Sequence, residues 1–477
     1  MSELHFPWLE LSVVLPLLGA MFVSRLRTSE DEYRWSLFFQ VLTLVSTLCA
    51  WQDFESLHVL RADDRWHFLQ RLFGRPILVV DELSAPLLAL AALQFLLTTF
   101  ATLRTKVKRF SFVSALVSES LVIATFSCQE PWVVIGLLAA ATLPPYLELR
   151  ARGRPTRVYA LHMGLFVALM VAGWAYVAWE GASQVHSLWA VIPLLGAVFI
   201  RSGICPVHCW MTDLFEHATF GTALLFTTPI TGAYFAVRIV LPVAPEWVLH
   251  SIGVISLVTA VYAGGMALVQ REARRFFCYL FLSHSAMVLV GMELVTPIGL
   301  TGALCVWLSV GLSLLGFGLV LRALEARRGR LFLRDFQGLY DHTPTLAVCF
   351  ALTGLASVGF PGTIGFVGME LLVDGAVEAY PYIGATVVVA AALNGIAIVQ
   401  VFFRLFTGTR HASSVSLGIG RRERIAVLCT AALMVIGGLV PQPGVATRYR
   451  AAMELLRYRA DQLGEPPPVV KPGHGGH

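Results

Sequence analysis

Charged side chains are scarce in this chain of 477 residues. Asp, Glu, Lys and Arg make up 14% of it, whereas an average soluble protein has about 25%. Hydrophobic residues make up 57%, and apolar runs long enough to cross a bilayer recur from one end to the other. This composition excludes an ordinary soluble globular protein and indicates a polytopic membrane protein.

Other signals are also missing. The formal charge is only +5 and no basic stripe exists, so no nucleic-acid partner is expected. There is no Gly-rich nucleotide loop, no Fe–S cysteine spacing and no nucleophile elbow, so we expect no cofactor and no catalysis by the chain alone. Its first apolar run has acidic rather than basic flanks, which indicates a retained span instead of a cleaved signal peptide.

The eight cysteines lie mostly within apolar runs, and no two of them have C-x-x-C spacing. Such cysteines behave as small buried hydrophobic residues. Cys205, His208 and Cys209 come close together in the sequence, but no second group of ligands accompanies them. The sequence therefore predicts no metal site.

The apolar runs predict an all-α protein with about fourteen transmembrane helices. Their approximate bounds are 7–24, 33–51, 82–103, 110–128, 131–149, 158–178, 187–205, 219–241, 247–269, 276–293, 298–323, 344–374, 382–406 and 424–440. We divide the chain into three N-terminal spans (1–109), two repeats (110–241 and 247–406), a last span (424–440) and a tail (441–477). The tail should be helical from Arg448 to Leu463 and disordered beyond.

Loop charges orient these spans. The loops after spans one, three, five, nine, eleven and thirteen are rich in Arg and Lys, which places them in the cytoplasm and both termini on the periplasmic side of the inner membrane. Two segments do not fit this rule. The loop after span two carries Arg61 and Arg65, and the tail carries Arg448 and Arg459.

Helix-breaking residues mark the seventh and twelfth spans. Gly203 and Pro206 end the seventh, and Gly359, Pro361 and Gly362 interrupt the overlong twelfth. Breaks five spans apart predict two repeats of five spans, four to eight and nine to thirteen, with the second copy inverted in the membrane. A break frees backbone groups, which is tolerated only where protein or water satisfies them.

The seventh span ends in the stretch RSGICPVHCWMTD, residues 201–213. This stretch resembles the K-x-x-x-x-P-x-H-x-W-L-P-D signature of the antiporter-like membrane subunits of complex I (NADH:quinone oxidoreductase), membrane hydrogenases and Mrp-type sodium/proton antiporters. Other blocks of the same family are similar to VVDELSAPLL (79–88), TGAYFAVR (231–238), RRFFCYLFLSHSAMVL (274–289) and LASVGFPGTIGFVGMELL (355–372). The resemblance is greatest to the M-type subunit of complex I.

This resemblance implies a membrane subunit that works beside other membrane subunits of a larger complex. In the family, buried lysines, glutamates and histidines form a polar axis near the middle of the bilayer, and protons or Na⁺ are the transported ions. An intramembrane charge costs at least about 2.5–3.5 kcal/mol on insertion scales, so it usually marks function. His284 and His208 stand where the family has histidines, and we expect His208 to act with Trp210 as a structural cap of the broken helix.

The chain departs from the family at most relay positions. The residues at these positions are Ala139, Arg201, Ile230, Val310 and Met369, with Glu370 one place later. Arginine keeps its charge even when buried, so Arg201 is not expected to release a proton. These departures predict poor conduction through the first repeat.

Four residues are therefore candidates for a reduced proton pathway: Glu119, Arg201, His284 and Glu370. Glu119 lies within span four, and two interpretations of it stay open. It forms a buried pair with Arg201 in place of the family's glutamate–lysine pair, or it is satisfied by other groups or at a contact with another subunit. Any surviving path should run through His284 and Glu370 in the second repeat. The alternative for His284 is a hydrogen-bonded structural histidine.

Three functions stay open at this point. The first is an ion-translocating subunit of a complex I-related assembly, which makes the chain part of an enzyme only through its partners. The second is a non-conducting structural paralogue that serves as a scaffold or docking subunit. The third is a membrane component of an inorganic-carbon uptake complex.

Overall fold

The computed structural model describes residues 2–66, 74, 76–103, 110–181, 186–409 and 418–464. Helices dominate these residues, as the composition predicts. The all-α prediction missed one small sheet, in which β2 (Arg61–Asp63) pairs in parallel with β1 (Ser2–Glu3) and antiparallel with β3 (Val79–Asp81). Strands of two or three residues are too short to show an alternating pattern in the sequence.

The helices of the first half follow the predicted spans. Those before the first break are α1 (Trp8–Val23), α2 (Ser29–Leu57), α3 (Ser84–Phe100), α4 (Phe112–Ser127), α5 (Pro131–Ala141), α6 (Leu143–Ala151) and α7 (Arg157–Glu180). The next are α8 (Leu188–Ser202), α9 (Cys209–His217), α10 (Phe220–Thr227) and α11 (Thr231–Phe235), which continues into a π-helical turn (Ala236–Val240).

The second half of the chain is also helical. Its helices are α12 (Glu246–Val269), α13 (Ala273–Glu293), α14 (Pro297–Arg328), α15 (Pro344–Ser357), α16 (Ile364–Ala379), α17 (Pro381–Phe406), α18 (Arg421–Leu439) and α19 (Gln442–Leu463). Within the described residues, eight helical stretches are long and apolar enough to cross a bilayer. The protein is therefore a multi-pass membrane protein.

The longest helix, α14, lies at the centre and packs against α3, α13, α15, α16, α18 and α19. Glycines bring α16 close to it. A Cβ atom on Gly302 would lie 2.4 Å from the backbone nitrogen of Leu372, and one on Gly375 would lie 2.5 Å from the Cα of Gly299. Because only glycine permits this approach, the second half of span twelve is held against α14.

Both predicted helix interruptions lie at the expected residues. Helix α8 ends at Ser202, and Gly203 follows it with a φ of 70°. Helix α15 ends at Ser357, and Gly359 and Gly362 follow with φ angles of 82° and 81°. Glycine adopts this left-handed conformation without a steric penalty, which explains why it occupies these positions.

The C-terminal helix α19 turns by 79° from α18. Arg448 donates hydrogen bonds to the carbonyl oxygens of Glu82 and Leu83, and Arg459 donates to those of Leu241 and Ala244. These two tail arginines therefore bind backbone carbonyls at the ends of other helices. A count of loop charges treats them as free charges at the membrane surface and does not include this role. Residues 465–477, predicted to be disordered, lie outside the described part of the chain, as do the basic residues 104–109.

Candidate proton-pathway site

The P-x-H-x-W motif builds the end of α8. At the end of α8, the carbonyl of Ile200 accepts a hydrogen bond from the backbone nitrogen of Gly203 at 3.2 Å and a shorter one from the Trp210 indole nitrogen at 2.7 Å. Trp210 is fully buried. His208 lies directly before α9, with its ring 5.6 Å from that of Tyr262 and 6.0 Å from that of Tyr279. These contacts fit the structural role expected for the motif.

Arg201 projects from the last turn of α8 into the interior, and only 5% of it is exposed. Its Nη2 donates to the Thr231 hydroxyl at 2.6 Å and to the Phe226 carbonyl at 3.3 Å. The guanidinium carbon lies 4.2 Å from the centre of the Phe226 ring, in cation–π geometry. The charge is thus held by a hydroxyl, a carbonyl and a ring.

The polar partners of Arg201 come from an interruption of span eight that the sequence analysis missed. Helical hydrogen bonding stops at Thr227 and resumes at Thr231, and Ile230 between them has φ 51° and ψ 47°. A buried β-branched residue in the left-handed region is strained by about 1–2 kcal/mol. Pro229, which has no backbone N–H to donate, was the available sequence signal for this break.

Side chains from three helices satisfy the carbonyls that this interruption frees. Arg201 of α8 donates to the carbonyl of Phe226, and Trp307 of α14 donates to the carbonyl of Pro229 at 3.3 Å. Gln94 of α3 donates to the carbonyl of Thr228 at 3.4 Å and to that of Gly311 at 3.0 Å. Gln94 was not recognised from the sequence, although a glutamine is unusual in the apolar run 85–97.

Glu119 and Arg201 do not form the ion pair that the sequence predicts. Glu119 is fully buried in α4, and the side chain that faces its carboxylate is Gln40 of α2. Arg201 instead contacts the interruption between α10 and α11. The prediction paired the two residues by elimination, and the tertiary structure gives each a different neighbour.

His284 is fully buried in the middle of α13. Its Nδ1 lies 2.7 Å from the Leu280 carbonyl one turn earlier, and the backbone of Ser357, at the end of α15, lies near the ring. The neighbouring Ser283 donates to the Ala260 carbonyl at 2.7 Å and accepts from Asn394 at 2.8 Å. His284 therefore lies between the break in span twelve and a small polar cluster.

Glu370 does not join His284. It lies on the exposed face of α16, while Gly368, Met369 and Leu372 are buried on the opposite face. Met369, the residue at the family's relay position, is 8% exposed. One residue turns a helical side chain by about 100°, and this rotation takes the carboxylate away from the interior.

The other departures from the family pattern bring apolar side chains to the interior. Ile230 and Val310 are buried, and Ala139 packs half-buried against the core. Among the described residues, no group of three or more His, Cys, Asp or Glu side chains has the geometry to hold a metal ion. Cys205 is half-buried and Cys209 is exposed, and both are free thiols.

The geometry is that of a polytopic membrane protein with interrupted helices and a few buried polar groups at the interruptions. Residues 161–394 match the family described as NADH:quinone oxidoreductase/Mrp antiporter, TM. NAD(P)H-quinone oxidoreductase chain 4 3 of Trichormus variabilis is 24% identical over 485 residues, which cover 93% of this chain and 90% of that relative. Chain 4 1 of Synechococcus elongatus is 27% identical over 446 residues, covering 86% and 83%.

Solved structures share the fold. A chain of respiratory complex I from Thermus thermophilus superposes with a TM-score of 0.82 at 21% identity, covering 96% of this chain and 100% of that one. A chain of the Mrp complex from Dietzia sp. DQ12-45-1b gives 0.81 at 19% identity, covering 96% and 99%. The chain is thus similar over most of its length to antiporter-like M-type membrane subunits.

Proposed function

We propose that the chain is an antiporter-like subunit of a proton-translocating membrane complex, and that its second repeat carries the proton path. The observation that supports this most is the position of His284. Histidine is the side chain whose ordinary pKa lies nearest neutral pH, and here it lies deep in α13, beside the interruption of span twelve. The relatives named above belong to NAD(P)H-quinone oxidoreductases and an Mrp complex.

The first repeat takes a different role in this proposal. Arg201 keeps its positive charge, and its hydrogen bonds hold the interruption of span eight in place. Ile230 puts an apolar side chain at that interruption, where a relay would need water or a titrating group. The first repeat then conducts no protons and serves as a structural support for the second repeat.

The proposal includes the topology. It has about fourteen spans with two inverted repeats of five, and the basic loops after six odd-numbered spans support a periplasmic location for both termini, at the inner membrane. A topology reporter fused after His477 should be active only outside the cytoplasm. Activity confined to the cytoplasm would reverse the orientation and the direction of every path described here.

The function is tested by proton flux in proteoliposomes that hold the assembled complex. His284→Gln should lower the flux by about 100-fold, the lower end of what a positioned acid–base group contributes. Glu370→Gln is the matched control, because this carboxylate lies on the exposed face of α16, and its flux should stay unchanged.

A second candidate function is a non-conducting structural paralogue, and the closed first repeat favours it. Unchanged flux in His284→Gln, with normal assembly of the complex, would support that candidate and reject proton transfer through the second repeat. Replacing the proton gradient by a sodium gradient in the same vesicles identifies the ion.

A further inference from the structure

A buried carboxylate lies on the same helix as His284, at the C-terminal end of that helix. Glu293 is the last residue of α13, and 2% of its side chain is exposed. Its Oε1 lies 2.5 Å from Nδ1 of His250 on α12, whose side chain is 45% exposed. A buried acid thus touches an imidazole that reaches the surface. Among the described residues, His250 is the titratable group that faces Glu293, and the centre of the Tyr380 ring lies 5.6 Å from that of the imidazole.

The backbone of α12 is shaped around this carboxylate. A Cβ atom on Gly253 would lie 1.4 Å from Oε2 of Glu293, so the carboxylate occupies the space that any other residue would fill. A pair that only fastened two helices at the surface would need no such recess. The glycine admits the acid into the α12–α13 contact, with the histidine between it and solvent.

A line of polar groups continues from this pair toward His284. Glu293 and His284 are nine residues apart on α13, about two and a half turns, so they leave the helix on opposite sides and α13 alone cannot connect them. Helix α12 offers the intermediate positions. Ser256, three residues beyond Gly253, is fully buried, and among the described residues its hydroxyl has no hydrogen-bond partner.

The line then reaches the polar cluster beside His284. Four residues after Ser256, the Ala260 carbonyl accepts from Ser283, which also binds Asn394. The Oδ1 atom of Asn394 and Nε2 of His284 are buried and, within the described part of the chain, have no hydrogen-bond partner. Ten residues of α12 separate His250 from Ala260, about 15 Å or half a bilayer. Buried polar atoms of this kind are the positions where proteins hold internal water.

We propose that His250 and Glu293 form the mouth of the proton path of the second repeat, and that the α12 face connects this mouth to His284. The proposal rests on the proton-translocating function above. The Glu293 carboxyl group gives its proton to Nδ1 of His250, and the imidazolium gives one proton to the aqueous phase. The carboxylate then takes up a proton from the interior. The pair thus returns to its starting charge after each proton.

Three variants test this in the assembled complex in proteoliposomes. Glu293→Gln keeps the shape but removes the acid, and flux should fall by about tenfold or more. Gly253→Ala keeps every titratable group but displaces the carboxylate, and it should reduce flux similarly. His250→Gly should also be slow, and added imidazole should restore its flux because the position is open to solvent. Imidazole should not rescue Glu293→Gln.

A matched control exists in the first repeat, where His186 lies 3.0 Å from Glu180. Glu180→Gln should leave flux unchanged. Normal flux in both Glu293→Gln and His250→Gly, with His284→Gln impaired, would overturn the mouth and leave the proposed function standing. Normal flux in Glu293→Gln, His250→Gly and His284→Gln alike would reject proton translocation through the second repeat. If Glu293→Gln fails to assemble, the test is whether added imidazole restores the proton flux of His250→Gly. It would not restore the flux if the histidine were merely structural.

Discussion

A lysine introduced at Ile230 would test whether the charge of Arg201 closes the first repeat. The family has a lysine at this position, and here the neighbouring Thr231 accepts a hydrogen bond from Arg201 at 2.6 Å. The new ammonium group would lie roughly 6 Å from the guanidinium group, where two like charges repel by about 3 kcal/mol at an effective dielectric constant of 20. Ile230→Lys alone should therefore be strongly destabilising.

Removing the other charge should relieve this cost. Arg201→Met alone leaves the Phe226 carbonyl without its donor, which costs about 1–3 kcal/mol. In the double variant, the lysine has no cation beside it and can donate to that carbonyl. We therefore expect a favourable coupling of about 3 kcal/mol between the two substitutions.

The coupling is measured by thermal unfolding of the purified complex in detergent, at one scan rate, for the two single variants and the double variant. Ile230→Met is the control, because it also removes the β-branched side chain from the left-handed position but adds no charge. It should not couple to Arg201→Met. Additivity of Ile230→Lys and Arg201→Met within about 0.5 kcal/mol would refute the reasoning.

Three further predictions concern stability. Gln94→Leu leaves the Thr228 carbonyl without its donor and removes a second donor from that of Gly311, and it should cost about 1–3 kcal/mol by denaturant unfolding, whereas Gln270→Leu, which loses only a bond to the preceding turn, should cost far less. Trp210→Phe removes the shorter of the two hydrogen bonds to the Ile200 carbonyl and should lower the midpoint of thermal unfolding; an unchanged midpoint would contradict the capping role. Burial raises the pKa of Asp64, outside the spans, from 3.8 to about 6. The protonated carboxyl group of Asp64 therefore contributes about 3 kcal/mol to the free energy of unfolding below pH 3.8, and this contribution is lost as the pH rises through about 6. Hydrogen exchange of residues 2–12, divided by the intrinsic exchange rate at each pH, should speed up over this range, and Asp64→Asn should remove this dependence.

The sequence was sufficient for those features that depend on local composition. Long apolar runs require membrane-spanning helices, because the bilayer leaves the backbone no other partner. Glycine close to proline in a run of that kind favours a break, since glycine adopts the left-handed conformation freely and proline cannot donate to a helix, and the interruptions at Gly203 and Gly359 follow from this. The motif around Pro206 and Trp210 was enough to suggest the family, because its residues are adjacent in the chain.

The tertiary structure alone decided which side chains meet. Nothing local to Glu119 indicates that Gln40 faces it, or that Arg201 lies on the Phe226 ring. The side of α16 on which Glu370 projects depends on how that helix is held against α14, and this is set by close glycine contacts between residues far apart in sequence. His250 and Glu293 are 43 positions apart by number, and only the packing of α12 on α13 places a buried acid against an open histidine. Helix formation follows from each segment's own composition, whereas the partner of a buried charge depends on the whole set of helices that surrounds it.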